Sequence, residues 1–197
     1  MSRYFSYFET ESDYNDFQNP ANGFGPKPNI SLVATRYNRT LKFNPKPTVQ
    51  CTFRPTANNK LAISNTSNIL LLIVDGEEVT NFGNTYSFTD EEVHKVKIVL
   101  NADGVVSENM FKDSCITKLS INGTVKQIGN NAFNNCQNLT SISCWSKTAP
   151  VITSNSFQGI ARSGRLRHTL NVDFSSWMQT GEYYLGYYNW TDSAGTK

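Results

Sequence analysis

Two stretches of this chain are copies of one unit. Phe111-Lys-Asp-Ser-Cys115-Ile-Thr-Lys-Leu119-Ser-Ile121 aligns with Phe133-Asn-Asn-Cys136-Gln-Asn-Leu139-Thr-Ser-Ile142-Ser-Cys144. Phenylalanine recurs at 111, 133 and 157, with spacings of 22 and 24, while Leu119 and Ile142, and Ile121 and Cys144, stand 23 apart. A period in the low twenties marks a solenoid in which each coil is one short strand plus a turn. Such a stack needs about three copies, and its ends must be covered. It presents surface and rarely holds catalytic machinery.

The strand cores of the repeat read as Lys118-Leu-Ser-Ile121, Thr140-Ser-Ile-Ser-Cys144 and, more loosely, Thr169-Leu-Asn-Val172. Phe111, Phe133 and Phe157, with Ile128 and Ile152, are the expected inward rungs. Cys115 and Cys136 read as equivalent repeat positions. From 48 to 106 the apolar period is two: Val49, Cys51, Phe53; Leu61, Ile63; Leu70, Leu72, Val74; Val96, Ile98, Leu100. That alternation predicts half-buried strands in a small antiparallel β-sandwich. Asp75-Gly76 and Asp103-Gly104 are turn dipeptides, the first set as in a tight hairpin. Residues 1–47 hold too few elements to bury much area alone: an aromatic start, a short helix from Thr10 to Phe17, and a hairpin over 30–43. This segment is expected to dock on something. The aromatic end, from Phe174 to Trp190, is rich enough to cap the solenoid.

The predicted organisation is therefore a mainly β chain: a docking segment at 1–47, the sandwich at 48–106, and the repeat module with its cap at 107–197. Charge supports no nucleic-acid partner, because a net charge of +2 lacks a concentrated basic face. Arg162, Arg165, Arg167 and His168 form the basic cluster and read as a solvated link, with a phosphate or glycan contact as the alternative. The first residues, Met-Ser-Arg-Tyr-Phe-Ser-Tyr-Phe-Glu, do not read as a secretory signal. The apolar run Ile69–Val74 is far short of the ~20 residues that span a bilayer, so no membrane insertion is expected.

No enzyme is expected. A nucleophile needs a base within reach, and His94 reads as strand while His168 reads as loop. Asp90-Glu91-Glu92 reads as a solvated turn. The four cysteines contain no Cys-x-x-Cys pair, so zinc is not expected. Reduced, buried cysteines are the favoured account, with a Cys115–Cys136 bridge as the alternative. Neither cofactor nor metal is called for.

Ile128-Gly-Asn-Asn-Ala-Phe133-Asn-Asn-Cys136-Gln-Asn-Leu139-Thr-Ser-Ile142 resembles the repeat of BspA-like leucine-rich-repeat proteins of gut Bacteroidales and their phages. Ser176-Trp-Met and Tyr183-Tyr-Leu-Gly-Tyr-Tyr-Asn-Trp190 are similar to the tail of those proteins. That resemblance implies a surface adhesin or binding protein. The first segment resembles the opening of virion proteins from phages of gut Bacteroidales, including crAss-like phages, through Tyr4-Phe-Ser-Tyr-Phe8, Asp13-Tyr14 and Pro28-Asn-Ile-Ser-Leu32. It implies a virion structural protein, a head or tail fibre or capsid decoration assembled in the host cytoplasm. Tyr4, Phe5, Tyr7, Phe8, Tyr14 and Phe17 would anchor it to capsid or tail proteins, with copies of the chain forming a homo-oligomer. The alternative is an adhesin at the bacterial cell surface, binding a host-surface glycan or protein. Tyr183, Tyr184, Tyr187, Tyr188 and Trp190 would then be its exposed surface, unless they are buried as the solenoid cap.

Overall fold

The computed structural model describes residues 46–122, 124–179, 183–184 and 189–195. The anchor residues Tyr4, Phe5, Tyr7, Phe8, Tyr14 and Phe17, and the helix and hairpin expected before residue 46, lie outside them. The strands begin with β1 (Thr48–Phe53), β2 (Leu61–Ile63), β3 (Ile69–Val74), β4 (Glu77–Glu78), β5 (Tyr86–Ser87), β6 (His94–Leu100) and β7 (Val105–Val106). They continue with β8 (Ile116–Asn122), β9 (Gln127–Ile128), β10 (Ser141–Cys144), β11 (Ser163–Thr169), β12 (Met178–Gln179), β13 (Tyr183–Tyr184) and β14 (Asn189–Gly195). A 3-10 turn spans Ser175–Trp177, and the described residues contain no α-helix. None therefore forms a helix long and apolar enough to cross a membrane.

Eight strands make one sheet in the order β14-β11-β10-β8-β1-β6-β3-β4. From β8 to β14 the neighbours are parallel, as successive coils of a solenoid must be; there are about three coils. From β8 back through β1, β6, β3 and β4 they are antiparallel. The β2–β5 pair adds a second layer on the inner face, where Phe88 packs on Phe53 at 5.4 Å between ring centroids. Asp75 and Gly76, at φ 52° and 94°, turn β3 into β4 as a primed hairpin turn requires. Leu70, expected to face inward, is 58 % exposed because the β3–β6 register shifts between Ile69 and Leu71 and leaves it in a bulge.

The repeat alignment gives the pairing directly. Ile142 lies opposite Leu119 and Cys144 opposite Ile121. On the far side of each coil Phe111, Phe133 and Phe157 stack, with centroids 4.9 and 5.1 Å apart and planes within 6°. That spacing is the strand separation itself, so equivalent rings in adjacent coils meet face to face. The Phe111 N–H donates to Ala132 O, and the Phe133 N–H to Ser156 O, both at 2.8 Å. A smaller parallel ladder pairs Val106 with Ile128, and Gln127 bridges to Val151. Ile128 is fully buried and Ile152 partly so.

The turns explain the wealth of asparagine. Asn109, Asp113, Asn131 and Asn135 take left-handed φ values of 58°, 59°, 54° and 59°. Asn and Asp tolerate that conformation best among residues with a Cβ. In the third coil Gly159 takes φ 77°, and a Cβ there would lie 3.2 Å from the Asn135 backbone.

Two expectations need correction. The third strand is β11, not Thr169–Val172: Leu166 lies opposite Ile142 and His168 opposite Cys144, while Leu170 is half exposed after the strand has ended. The supposed basic link is thus a strand. Secondly, Cys115 is not the equivalent of Cys136. Ser114 is, since Ser114 N–H donates to Phe111 O as Cys136 N–H donates to Phe133 O, and the two side chains meet at 3.5 Å. Cys115, one residue on, points its thiol at Leu61 O, and all four cysteines are free and buried.

Phe133 is the middle ring of the stack and fully buried. Phe133→Ala is expected to cost about 3–5 kcal/mol, read as a lower urea midpoint with an unchanged m-value. A cost below about 1 kcal/mol, within the range of ordinary surface changes, would show that the stack does not bear the core.

Candidate functional site

Alternation along the sheet sends Val49, Cys51, Val96, Ile98, Leu119, Ile121, Ile142 and Leu166 into the core. Their neighbours therefore face the other way. Registers across five strands align those outward positions into two rows. The first runs Lys95, Thr52, Lys118, Ser141, Arg165. The second runs Lys97, Gln50, Ser120, Ser143, Arg167. A cleft of about 450 Å³ lies over this face, lined by Gln50, Thr52, Lys95, Lys97, Lys118 and the three serines, with Ile73 and Gly76 at its β3–β4 end. None of its lining residues is acidic or aromatic. Among the described residues, Lys95, Lys118, Arg165 and Arg167 have no carboxylate within ion-pairing distance. Lys118, Arg165 and Arg167 can thus offer their cations to a ligand without first breaking an ion pair among the described residues.

The aromatic residues expected as a surface are placed differently. Trp190 is buried, its indole N–H donating to Ala161 O at 2.7 Å. Gly164 makes room for it, since a Cβ there would sit 2.6 Å from the Trp190 ring. Trp190 therefore belongs to the cap, as does Trp177, whose indole N–H donates to Pro150 O at 2.8 Å. Tyr183 and Tyr184 lie in β13, paired with β12. Tyr187 and Tyr188 lie outside the described residues. His168 is buried in β11, stacked on Phe174 at 4.4 Å, with Nδ1 3.1 Å from Thr169 O. Of the basic cluster, Arg165 and Arg167 reach the outer face and His168 points inward. The lysines and serines of the rows were the polar half of the same alternation that revealed the strands, which was the available signal.

One titratable cluster stands at the β3–β6 corner of the cleft. His94 Nδ1 lies 2.7 Å from Asp75 Oδ2, and Nε2 lies 2.9 Å from Asp90 Oδ1. The ring lies flat on Phe88 at 4.1 Å. Asp75 Oδ1 also accepts the Lys95 N–H at 2.7 Å, tying the hairpin turn to the start of β6. Burial opposes protonation of His94, but the hydrogen bonds to Asp75 and Asp90 outweigh it and raise the pKa. The bond from His94, and then that from the Lys95 N–H, hold Asp75 below the usual carboxylate range. With an acceptor on each nitrogen, the imidazolium is the form that satisfies the clamp. The two carboxylates sit on opposite nitrogens, so the trio does not converge on a metal ion. Burial likewise pushes up the thiols, to about 12 for Cys136 and about 11 for Cys115 and Cys144.

Linkage gives the clamp a pH signature. The raised His94 pKa contributes in full below the ordinary histidine value of ~6.5 and is lost as pH rises through the native value. Asp75 contributes above ~3.9 and is lost as pH falls through its lowered native value. The margin in urea midpoint of the native chain over His94→Gln is therefore expected to be widest from about pH 4 to 6.5 and to narrow on both sides. A margin independent of pH would show that His94 is not clamped as an imidazolium.

Comparison with known proteins accords with this geometry. Residues 104–169 match the model of the BspA type leucine rich repeat region (6 copies). No curated protein and no solved structure gives a significant match. The matched residues run from the turn before β7 to the end of β11, the stretch that carries the stacked phenylalanines and the left-handed asparagines. Over residues 104–169 the coils are thus similar to the BspA type leucine rich repeat.

Proposed function

We propose that this protein is a binding protein without catalytic activity, and that its partner lies on the outer face of the sheet. The observation that carries the reading is the cleft of about 450 Å³ across β1, β6, β8 and β10, floored by hydrogen-bonded strands and lined by the polar side chains of the two rows together with apolar surface at Cys51, Ile73, Val96 and Leu119. Repeat solenoids supply extended surfaces of this kind. The chemistry of the described residues favours binding over turnover. A general base needs a nitrogen free to take a proton, and both nitrogens of His94 are occupied by carboxylates. A reactive cysteine needs an exposed, acidified thiol, and all four here are buried.

We propose further that residues 1–47 mount the module on a phage particle as a fibre or decoration, with Tyr4, Phe5, Tyr7, Phe8, Tyr14 and Phe17 as the anchor. The support is the resemblance of Tyr4-Phe-Ser-Tyr-Phe8, Asp13-Tyr14 and Pro28-Asn-Ile-Ser-Leu32 to virion proteins. The alternative owner is a bacterial cell surface, which the resemblance of Ile128–Ile142 to BspA-like repeats implies.

Both readings are open to experiment. Because the native thiols are buried, Ser143→Cys gives one accessible thiol on the face. Coupling it to a bulky maleimide polymer is expected to leave the circular dichroism unchanged and to abolish attachment of the labelled chain to bacterial envelopes, while attachment to particles through residues 1–47 is kept. A conjugate that attaches to envelopes as well as the uncoupled chain does would place the binding site elsewhere. For the mounting, the full chain is expected to co-sediment with particles at fixed stoichiometry, and deletion of 1–47 to abolish this. Recovery from envelopes alone would assign it to the cell surface.

A further inference from the structure

We propose that the partner on this face is an acidic polysaccharide, laid as an extended chain across the strands. The inference rests on the binding role proposed above and names its ligand class. In the first row the cations Lys95, Lys118 and Arg165 fall on alternate strands, with Thr52 and Ser141 between them. Strands are ~4.8 Å apart, so the stems of these cations repeat at ~10 Å across the sheet. A polymer that carries one sulfate or carboxylate on each disaccharide presents its charges on a comparable repeat. The hydroxyls of Thr52, Ser120, Ser141 and Ser143 and the amide of Gln50 stand between the cations. There they can donate to and accept from the sugar hydroxyls that separate those charges. Arg165 and Arg167 offer planar forks to anionic oxygens at the β11 end.

The same observations disfavour other occupants. Double-stranded nucleic acid carries a charge every ~1.7 Å of axis, far denser than cations on alternate strands can match. Single strands bind through aromatic platforms for their bases, and no aromatic residue lines the cleft. Protein partners take their energy from aromatic and large apolar anchors. Here Cys51, Val96 and Leu119 are buried beneath the floor, and Ile73 stands only at the rim. A neutral glycan would leave the cations without counter-charges.

The test uses the full chain, with fluorescent hyaluronate (a carboxylate on each disaccharide) and keratan sulfate (a sulfate on each disaccharide) as probes, read by anisotropy at low and high salt. Unsulfated dextran and poly-glutamate serve as comparisons. Hyaluronate, keratan sulfate or both are expected to bind, weakening with salt because exposed charges are screened, and unsulfated dextran is not. The variant Lys118→Gln, Arg165→Gln, Arg167→Gln is expected to weaken binding roughly tenfold or more. Lys112→Gln, Lys126→Gln, Lys147→Gln removes the same charge from residues on neither row and is expected to leave binding within about threefold. Lys118, Arg165 and Arg167 are exposed on their strands, and thermal melts check that each variant is folded. Equal weakening by both variants would reduce the effect to net charge and overturn the proposal. So would binding of poly-glutamate but neither polysaccharide, which would assign the face to an acidic protein. If neither polysaccharide binds while the Ser143→Cys conjugate still loses its attachment to envelopes, the ligand class fails and the binding face stands. If the conjugate keeps its attachment to envelopes, the face itself fails.

Discussion

A single column of aromatic rings runs through the described part of this protein, and the remaining packing is arranged around it. Phe88 packs on Phe53, Phe53 lies 6.5 Å from Phe111, and Phe111, Phe133 and Phe157 stack in turn before Trp177 and Phe174 close the column. Aromatic rings bring large buried area and a preferred geometry at once. Because the stack spacing equals the strand spacing, one repeat period satisfies the rings on one side of the coil and the hydrogen bonds on the other. The column also crosses from the antiparallel strands into the coils, so the two kinds of sheet share a core. Trp177 ends it with a large ring whose polar edge is satisfied by Pro150 O.

This arrangement separates the two surfaces of the sheet by function. The inner surface is committed to packing and holds buried thiols, a buried histidine and fully buried apolar side chains. The outer surface carries no packing duty across the five strands of the two rows, so its residues are free to be polar. The His94 clamp stands at the border between them. It fixes the β3–β4 turn against the first residue of the Lys95 row through backbone and side chain together.

Some of this was legible in the residues and some was not, for physical reasons. The 23-residue offset between Leu119 and Ile142 gave the parallel register, because in a solenoid sequence period and spatial neighbour coincide. Strand β11 escaped because Gly164-Arg-Leu-Arg-His168 turns only Leu166 and His168 inward, and a buried histidine does not register as apolar. The Ser114–Cys136 equivalence escaped because the matching cysteine stands one residue later in the first copy. Alternation revealed strands in 48–106 but not their partners, so the antiparallel β1 was not seen to pair with β8 of the repeat. The cationic face needed that pairing, since Lys95 and Arg165 meet on one surface only through three intervening strands. Asp75 and Asp90 likewise meet His94 only in three dimensions.

Extension of the sheet by parallel coils makes the face a ruler with fixed graduations. Each coil adds one strand, and each strand adds one graduation of ~4.8 Å and one outward side chain to each row. Inserting a whole repeat between β8 and β11 would lengthen both rows without disturbing the chemistry at either end, whereas an insertion of part of a repeat would break the ring column beneath. Reach along a polymer can therefore change only in whole steps, and the composition of each step can change independently of the fold.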